Sequence, residues 1–312
     1  KKKEINEINN LDIKINVKNN ISCPLYGLRK IQKADNKKEV PEWLKERLER
    51  GGIEPINPVV DIVNYMMLEH GQPMHAFDFD KINGDIQVRN ANKGEKLLLL
   101  NNQEITFFGD ELVIADDKNI LALAGIMGGI GTSVTADTTN FLLESAFFTP
   151  LSLAGVARSH SLNTESSHRF ERGVDFQQTI NTLNETVSNI IDLCGGEASN
   201  LIEETSKLPE RNKITLRIEK VRQVLGLHID KNEINKTLTA LKFSFEECEG
   251  GFNVTPPSYR FDINIEEDLV EEVIRIYGFD KIEAIPPITN IEMLGSDSSI
   301  TRGFGSGSRS TI

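Results

Sequence analysis

Paired cysteine is missing from this sequence. Cys23, Cys194 and Cys248 are odd in number and lie far apart, which excludes a disulfide framework and any Cys-X-X-Cys metal site. That usage fits a reducing compartment, and a cytoplasmic location is expected. No apolar run approaches the roughly 20 residues that cross a bilayer. The chain opens Lys1-Lys2-Lys3-Glu4 with no apolar core behind it, so neither membrane association nor an export signal is expected. Positive charge is also short: Lys and Arg number 35 against 47 Asp and Glu, a net charge of −12. This excludes a non-specific grip on nucleic acid, and no DNA partner is expected. An RNA substrate would be held by a local patch or by a partner chain. Gly-x-Gly-x-x-Gly and P-loop spacings are absent, as are metal-ligand spacings among His70, His160 and His228.

The 312 residues exceed one ordinary domain, and 38% are hydrophobic, enough for a sizeable core. Residues 1–22 read as a loose lead with one possible edge strand at Ile13, Ile15 and Val17. Pro41 to Gly51 reads as a short amphipathic helix with Trp43, Leu44 and Leu48 on one stripe and Gly51 as its stop. A second helix starts at Pro58 and closes at Gly71, apolar nearly all round and therefore buried. Strand signals follow at 85–89, 96–100, 104–108, 111–115, 120–126 and 141–147. Helices return after Thr149-Pro150 and from Asp175 to Cys194. The expected class is α+β with a mixed, largely antiparallel sheet and flanking helices over 23–207.

After a polar linker, a compact unit over 211–288 is expected. It reads as strand, two helices, a hairpin around Gly250-Gly251 and a last helix to Tyr277, with capping boxes at Asp230-x-x-Glu233 and Asn264-x-x-Glu267. This order suggests a small winged-helix-like α+β domain. Residues 289–312, rich in Gly and Ser, read as a flexible tail.

Several residues carry candidate chemistry. The stretch Pro55–His75 sets Asn64 and His75 on either side of a helix end, though a lone His is more often structural. Leu123 to Gly131 clusters small residues that admit a ligand to bare backbone N–H groups, or that simply make a tight turn. Glu144 interrupts the apolar run Phe141–Phe148. A carboxylate there either faces a polar site, pairs, or rises in pKa, unless the strand is an edge and Glu144 faces water. The segment 159–175 is dense in polar groups but lacks the Gly-x-Ser-x-Gly elbow of a serine hydrolase. In the last helix Asp268, Glu271 and Glu272 stand at i, i+3 and i+4, with Asp262 just upstream. Oxygen-only clusters suit Mg²⁺, but acidic residues also favour helix N-termini for electrostatic reasons.

These motifs together resemble the β subunit of bacterial phenylalanyl-tRNA synthetase. They are Pro-Ile-Asn-Pro-Val-Val-Asp-x-x-Asn-Tyr (55–65), Gly-Gln-Pro-Met-His-Ala-Phe-Asp (71–78), Leu-Ala-Gly-Ile-Met-Gly-Gly (123–129), Ser-His-Arg-Phe-Glu-Arg-Gly-Val-Asp (167–175) and Tyr-Arg-Phe-Asp-Ile (259–263), the last followed by Glu-Glu-Asp-Leu-Val-Glu-Glu-Val (266–273). The resemblance implies an editing module up to about 207 that hydrolyses mischarged Tyr-tRNA(Phe). It implies His75 and Asn64 beside the ester, and Ala124, Gly125, Gly128, Thr164 and Ser166 around the tyrosyl group. Glu144 would be the acceptor for the phenol. It further implies Mg²⁺ at Asp262, Asp268, Glu271 and Glu272, and ATP for the whole enzyme only. The implied partners are tRNA(Phe) and an α subunit, in an assembly of two α and two β chains. The competing expectation is a non-catalytic module that docks tRNA or the α subunit. Glu54, Val63 and Ser166 depart from the residues relatives often carry there, namely Arg, Thr and Ala.

Overall fold

The computed structural model describes residues 13–284 and the backbone of Glu7–Ile8. The expected tail at 289–312 lies outside the described residues, as does much of the expected lead. Four sheets are present among the described residues. The first is organised on the strand Phe141–Phe147, every residue of which is buried. It runs antiparallel to Leu25–Gln32 on one side and to Met74–Asp78 on the other. The strands Glu197–Ser199 and Ile202–Thr205 both pair with Leu25–Gln32. A second sheet runs in the order Met127–Gly128, Ile120–Leu123, Leu112–Ala115, Ile86–Asn90, Ile15–Val17. The fold is α+β, and most pairings are antiparallel. Exceptions are Ile15–Val17 with Ile86–Asn90, and Glu7–Ile8 with Glu197–Ser199.

Directly opposed residues of paired strands share a face. One face of the first sheet therefore carries Tyr26, Leu28, Phe77, Leu142, Glu144, His75 and Ala146. Its apolar members pack on Ile86, Val88 and Ile114 of the second sheet. The other face carries Ile31, Ala76, Phe141 and Leu143, which pack on three helices: Glu42–Arg50, Pro58–His70 and Thr179–Cys194. Leu25–Gln32 gave no strand signal because Gly27, Arg29, Lys30 and Gln32 interrupt its apolar residues; Arg29 is buried all the same, its guanidinium donating to the Ser199 carbonyl and to Asn184. Met74–Asp78, which carried no strand signal in the sequence, is extended. Pro73 biases Gln72 away from helix, and the Gln72 side chain anchors the strand start by donating to the Ala146 carbonyl at 2.9 Å.

The helix Pro58–His70 follows its expected signals. The Asn57 side chain accepts from the Val60 N–H, and Gly71 ends the helix at φ 70°. The first helix departs from expectation in two ways. Gly52, not Gly51, takes the left-handed φ, and Trp43 is 52% exposed while Leu44 and Leu48 are buried. Trp43 sits edge-on to Tyr65 with Arg47 near both rings.

The third sheet orders Ile214–Arg217, Gly251–Thr255 and Ser244–Cys248, backed by helices Ile218–Leu225, Lys231–Ala240 and Glu266–Tyr277 around their own core. The winged-helix-like order of elements is present. The expected capping boxes are not formed as read. The Asp230 side chain makes no cap bond, and Glu233 pairs with Lys236. At the last helix Asp268, rather than Glu267, accepts from the Asn264 and Ile265 N–H groups at 2.7 and 2.9 Å.

The contrast within the first helix is testable by urea unfolding. Leu48→Ala is expected to cost about 2–5 kcal/mol. Trp43→Ala should cost no more than about 1.5 kcal/mol, the worth of an exposed aromatic contact.

Candidate functional site

A small cleft, with a cavity volume of about 50 Å³, opens between the two larger sheets, below the ~300–1,000 Å³ range typical of sites that enclose a whole small ligand. Glu144 and His75 stand opposite one another on neighbouring strands, which sets their Cβ atoms about 4.5–5.5 Å apart. Both line the cleft, with Gly125, Gly128 and Ser166 and the apolar residues Met74, Ile126, Met127 and Phe170.

Glu144 is 5% exposed, and its Oε2 is buried with no hydrogen-bond partner. Burial pushes its carboxyl up from 4.5 to about 8, with the nearby Tyr26 hydroxyl offsetting part of the rise. Tyr26 is fully buried on the same sheet face. Its phenol is pushed well above the usual range by burial first and by Glu144 second, and its hydroxyl lacks a well-aligned partner. His75 is equally short of partners. Its Nε2 is enclosed and unpaired, and burial lowers the imidazole from 6.5 to about 4. The ring packs edge-on to Phe77, with centroids 4.5 Å apart. The site thus brings together two orphaned polar groups that are uncharged at neutral pH.

Glycine shapes the opposite wall. A Cβ on Gly128 would sit 2.4–2.5 Å from the His75 ring, so only a bare backbone lets that ring lie where it does. Gly125 has φ +66°, and a Cβ there would meet Leu153 at 2.6 Å.

Three expected site residues lie elsewhere. Asn64 is on the helix that covers the opposite face of the sheet and does not line the cleft. Ala124 is wholly buried behind it, its N–H donating to the Leu112 carbonyl. Thr164 caps the helix Glu165–Phe170, and its hydroxyl donates to the Ile126 carbonyl at 3.0 Å, so it holds the Gly125–Met127 turn from outside. Sequence reading missed Met74, Met127, Phe170 and the backing Tyr26. Register assigns Met74 to the helix-covered face, opposite Ser145, so its place at the cleft rim was not readable from alternation; Tyr26 was recoverable only from its pairing opposite Ala146. The polar segment after Ser159 is largely structural. The His160 ring lies 2.9 Å from Glu111 in a buried pair.

The expected Mg²⁺ ligands are not gathered. Both oxygens of Asp262 accept from Arg260, and Glu272 is held between Arg260 and Arg275. Asp268 caps its helix, and Glu271 faces solvent. Among the described residues no group of three His, Cys, Asp or Glu is placed to hold a metal. The donor set does not fit the cation.

The B3/4 domain profile matches residues 22–195, more than half of the chain and all of the cleft. The chain belongs to the B3/4 domain family. A tRNA synthetase B5 domain follows over residues 214–279. The phenylalanine–tRNA ligase β subunit of Psychrobacter arcticus is 48% identical over 274 residues, 87% of this chain and 34% of that protein. That of Dechloromonas aromatica is 46% identical over 273 residues, with the same shares. This B3/4 chain therefore spans about a third of the length of the curated relatives it matches. A solved N-terminal fragment of the phenylalanyl-tRNA synthetase β subunit from Pyrococcus horikoshii aligns over 89% of this chain and 78% of its own, at 19% identity and a TM-score of 0.43.

The two buried groups give stability opposite pH dependences. Between pH 4.5 and 8 folded Glu144 retains a proton that the unfolded chain has released, so stability falls as pH rises. Between pH 4 and 6.5 the unfolded chain binds a proton that folded His75 refuses, so stability rises with pH there. Above pH 6.5 the Glu144 effect stands alone. The urea midpoint should fall from pH 6.5 to 8, and Glu144→Gln should flatten that slope. An equal slope in both proteins would contradict a proton held on Glu144.

Proposed function

We propose that this B3/4 module belongs to a phenylalanine–tRNA ligase β subunit and hydrolyses tyrosine esters of tRNA(Phe). The observation that carries this reading is the orphaned Oε2 of Glu144 in a cleft whose side chains are mostly apolar, His75 and Ser166 being the other polar ones. A buried acceptor without a partner disfavours any occupant that cannot bond to it. Tyrosine offers a phenol O–H, whereas phenylalanine would leave Glu144 unsatisfied. A site built around a hydroxyl discriminates against the analogue lacking it by about 10⁴–10⁵-fold, far more than an apolar pocket can reject an added hydroxyl. The same module would therefore release tyrosine and spare correctly charged tRNA.

His75 would supply the hydrolytic side. With a pKa of about 4 it is neutral at pH 7 and a weak base. Its enclosed Nε2 would accept a hydrogen bond from the attacking water and orient it, without taking its proton in full. Developing negative charge on the ester oxygen calls for backbone donors. In the turn beside His75 the N–H groups of Ala124, Ile126 and Gly129 already bond to Leu112, Leu123 and Leu121. In this proposal the oxyanion donor is the N–H of Gly125. Asn64 takes no part, and Ser166, where relatives often carry Ala, adds a hydroxyl to the wall. The α subunit, tRNA(Phe), and the ATP and Mg²⁺ of aminoacylation belong to this proposal only as features of the larger assembly.

Deacylation by the full synthetase carrying this chain tests the reading. His75→Ala should slow Tyr-tRNA(Phe) hydrolysis by about 10²-fold. Glu144→Ala should collapse the preference for tyrosyl over phenylalanyl esters. Unchanged hydrolysis and preference in both variants would favour a docking role for the module.

A further inference from the structure

Arg260 lies where the sequence pattern calls for a metal ion. Its Nε donates to Asp262 Oδ1 at 2.9 Å, and Nη2 donates to Asp262 Oδ2 at 2.6 Å. The same guanidinium turns its other edge to Glu272, with Nη1 to Oε2 at 3.1 Å and Nη2 to Oε1 at 2.9 Å. Arg275, one turn further along the helix, closes on Glu272 from the other side at 2.6 Å. Glu272 is 5% exposed, so these bonds stand in for most of its hydration. The Arg260 guanidinium also lies 5.9 Å from the centre of the Phe243 ring, in reach of a cation–π contact.

We infer that Arg260 is the resident cation of this acidic end, so that the B5 unit holds its shape without a divalent ion. Asp262 and Glu272 are matched in charge by Arg260 and Arg275, which removes most of the attraction these two carboxylates would have for a divalent ion. Mg²⁺ also demands oxygen ligands at about 2.0–2.1 Å in near-octahedral array. Both oxygens of Asp262 and of Glu272 are already bonded to guanidinium N–H groups. A planar fork matches two carboxylates with directional bonds, which a lysine could not reproduce.

By tying Asp262 to Glu272 the arginine also fixes the loop between Gly251–Thr255 and Glu266–Tyr277, which packs on the other part of the chain. The side chain of Arg211 donates to the carbonyls of Arg260 and Ile263. Between them Phe261 projects onto the backbone of Gly173, where a Cβ would clash with its ring. The ring packs 6.2 Å from Phe147, at the end of the Glu144 strand, and 6.4 Å from Phe176. Arg260 is thus a positioning residue for the seat between the B5 unit and the cleft-bearing sheets. This inference stands on packing and charge alone and is independent of the hydrolytic reading.

Thermal unfolding of the chain in excess EDTA and in millimolar MgCl₂ tests it, together with calorimetric titration of MgCl₂. The wild-type transition should be unchanged between the two buffers, and no heat of stoichiometric binding should appear. Arg260→Gln should lower the transition by several degrees and make it rise with Mg²⁺, because Asp262 then loses its partner and Glu272 keeps only Arg275. Stoichiometric Mg²⁺ binding by the wild type that Asp262→Asn abolishes would overturn the inference. The wild-type titration needs only the unmodified fold, and the Asp262→Asn arm keeps the test decisive even if the arginine variant does not fold.

Discussion

A carboxyl group buried in the middle of an all-buried strand is the constraint on which the cleft depends. Phe141–Phe147 is covered on one face by helices and on the other by a second sheet, so Glu144 has no route to bulk water except through the cleft. Burial without a partner costs on the order of 1–3 kcal/mol for a neutral polar group and more for a charged one. The group responds by holding its proton, and the surrounding apolar contacts must offset what remains. His75, directly across the strand pair, is under the same constraint and responds by refusing a proton. A sheet whose purpose was only to be stable would place Leu or Val at both positions.

Strand register explains why the first helix-end reading was half right. Pro55–His75 does deliver His75 to the cleft, but through an extended strand rather than a turn. Once that strand joins the sheet, alternation assigns its side chains to fixed faces. Ala76 joins the helix layer, whereas His75 and Phe77 face the second sheet. Asn64 belongs to the helix layer, so the amide and the imidazole are on opposite sides of the sheet. Nearness in sequence across a Pro-containing connection could not reveal this.

What was legible follows from where local chemistry decides structure. Asn57, Pro58 and Gly71 bounded their helix correctly because cap and φ preferences act within a turn. Glu144 stood out because one carboxyl in an apolar run violates the pattern regardless of register. Leu25–Gln32 was invisible because Arg29 and Lys30 break its apolar run, and the partners that let Arg29 be buried, Ser199 and Asn184, lie far along the chain. Trp43 was misplaced because an amphipathic stripe marks the apolar side of a helix, not how far its neighbours reach around it. The partners of the Asp262–Glu272 cluster were hidden for a related reason. Spacing on a helix locates carboxylates, but the cation that neutralises them came from a loop residue, Arg260, with no helical period to announce it.

Under the proposed function, the raised pKa of Glu144 would bear on selectivity as well as stability. As a protonated carboxyl it has a carbonyl oxygen to accept a phenol O–H and its own O–H to offer the phenol oxygen. As a carboxylate it accepts only, but more strongly, because hydrogen bonds to an ionised group are shorter and worth more. Either form is satisfied by a hydroxyl and neither by a phenyl ring, so preference for the hydroxyl survives the change of charge. A bound donor stabilises the ionised form more, which draws the carboxyl back down toward neutral pH. The empty cleft and the filled one therefore favour different protonation states of the same residue. The group that burdens the fold is the one an occupant with a hydroxyl relieves.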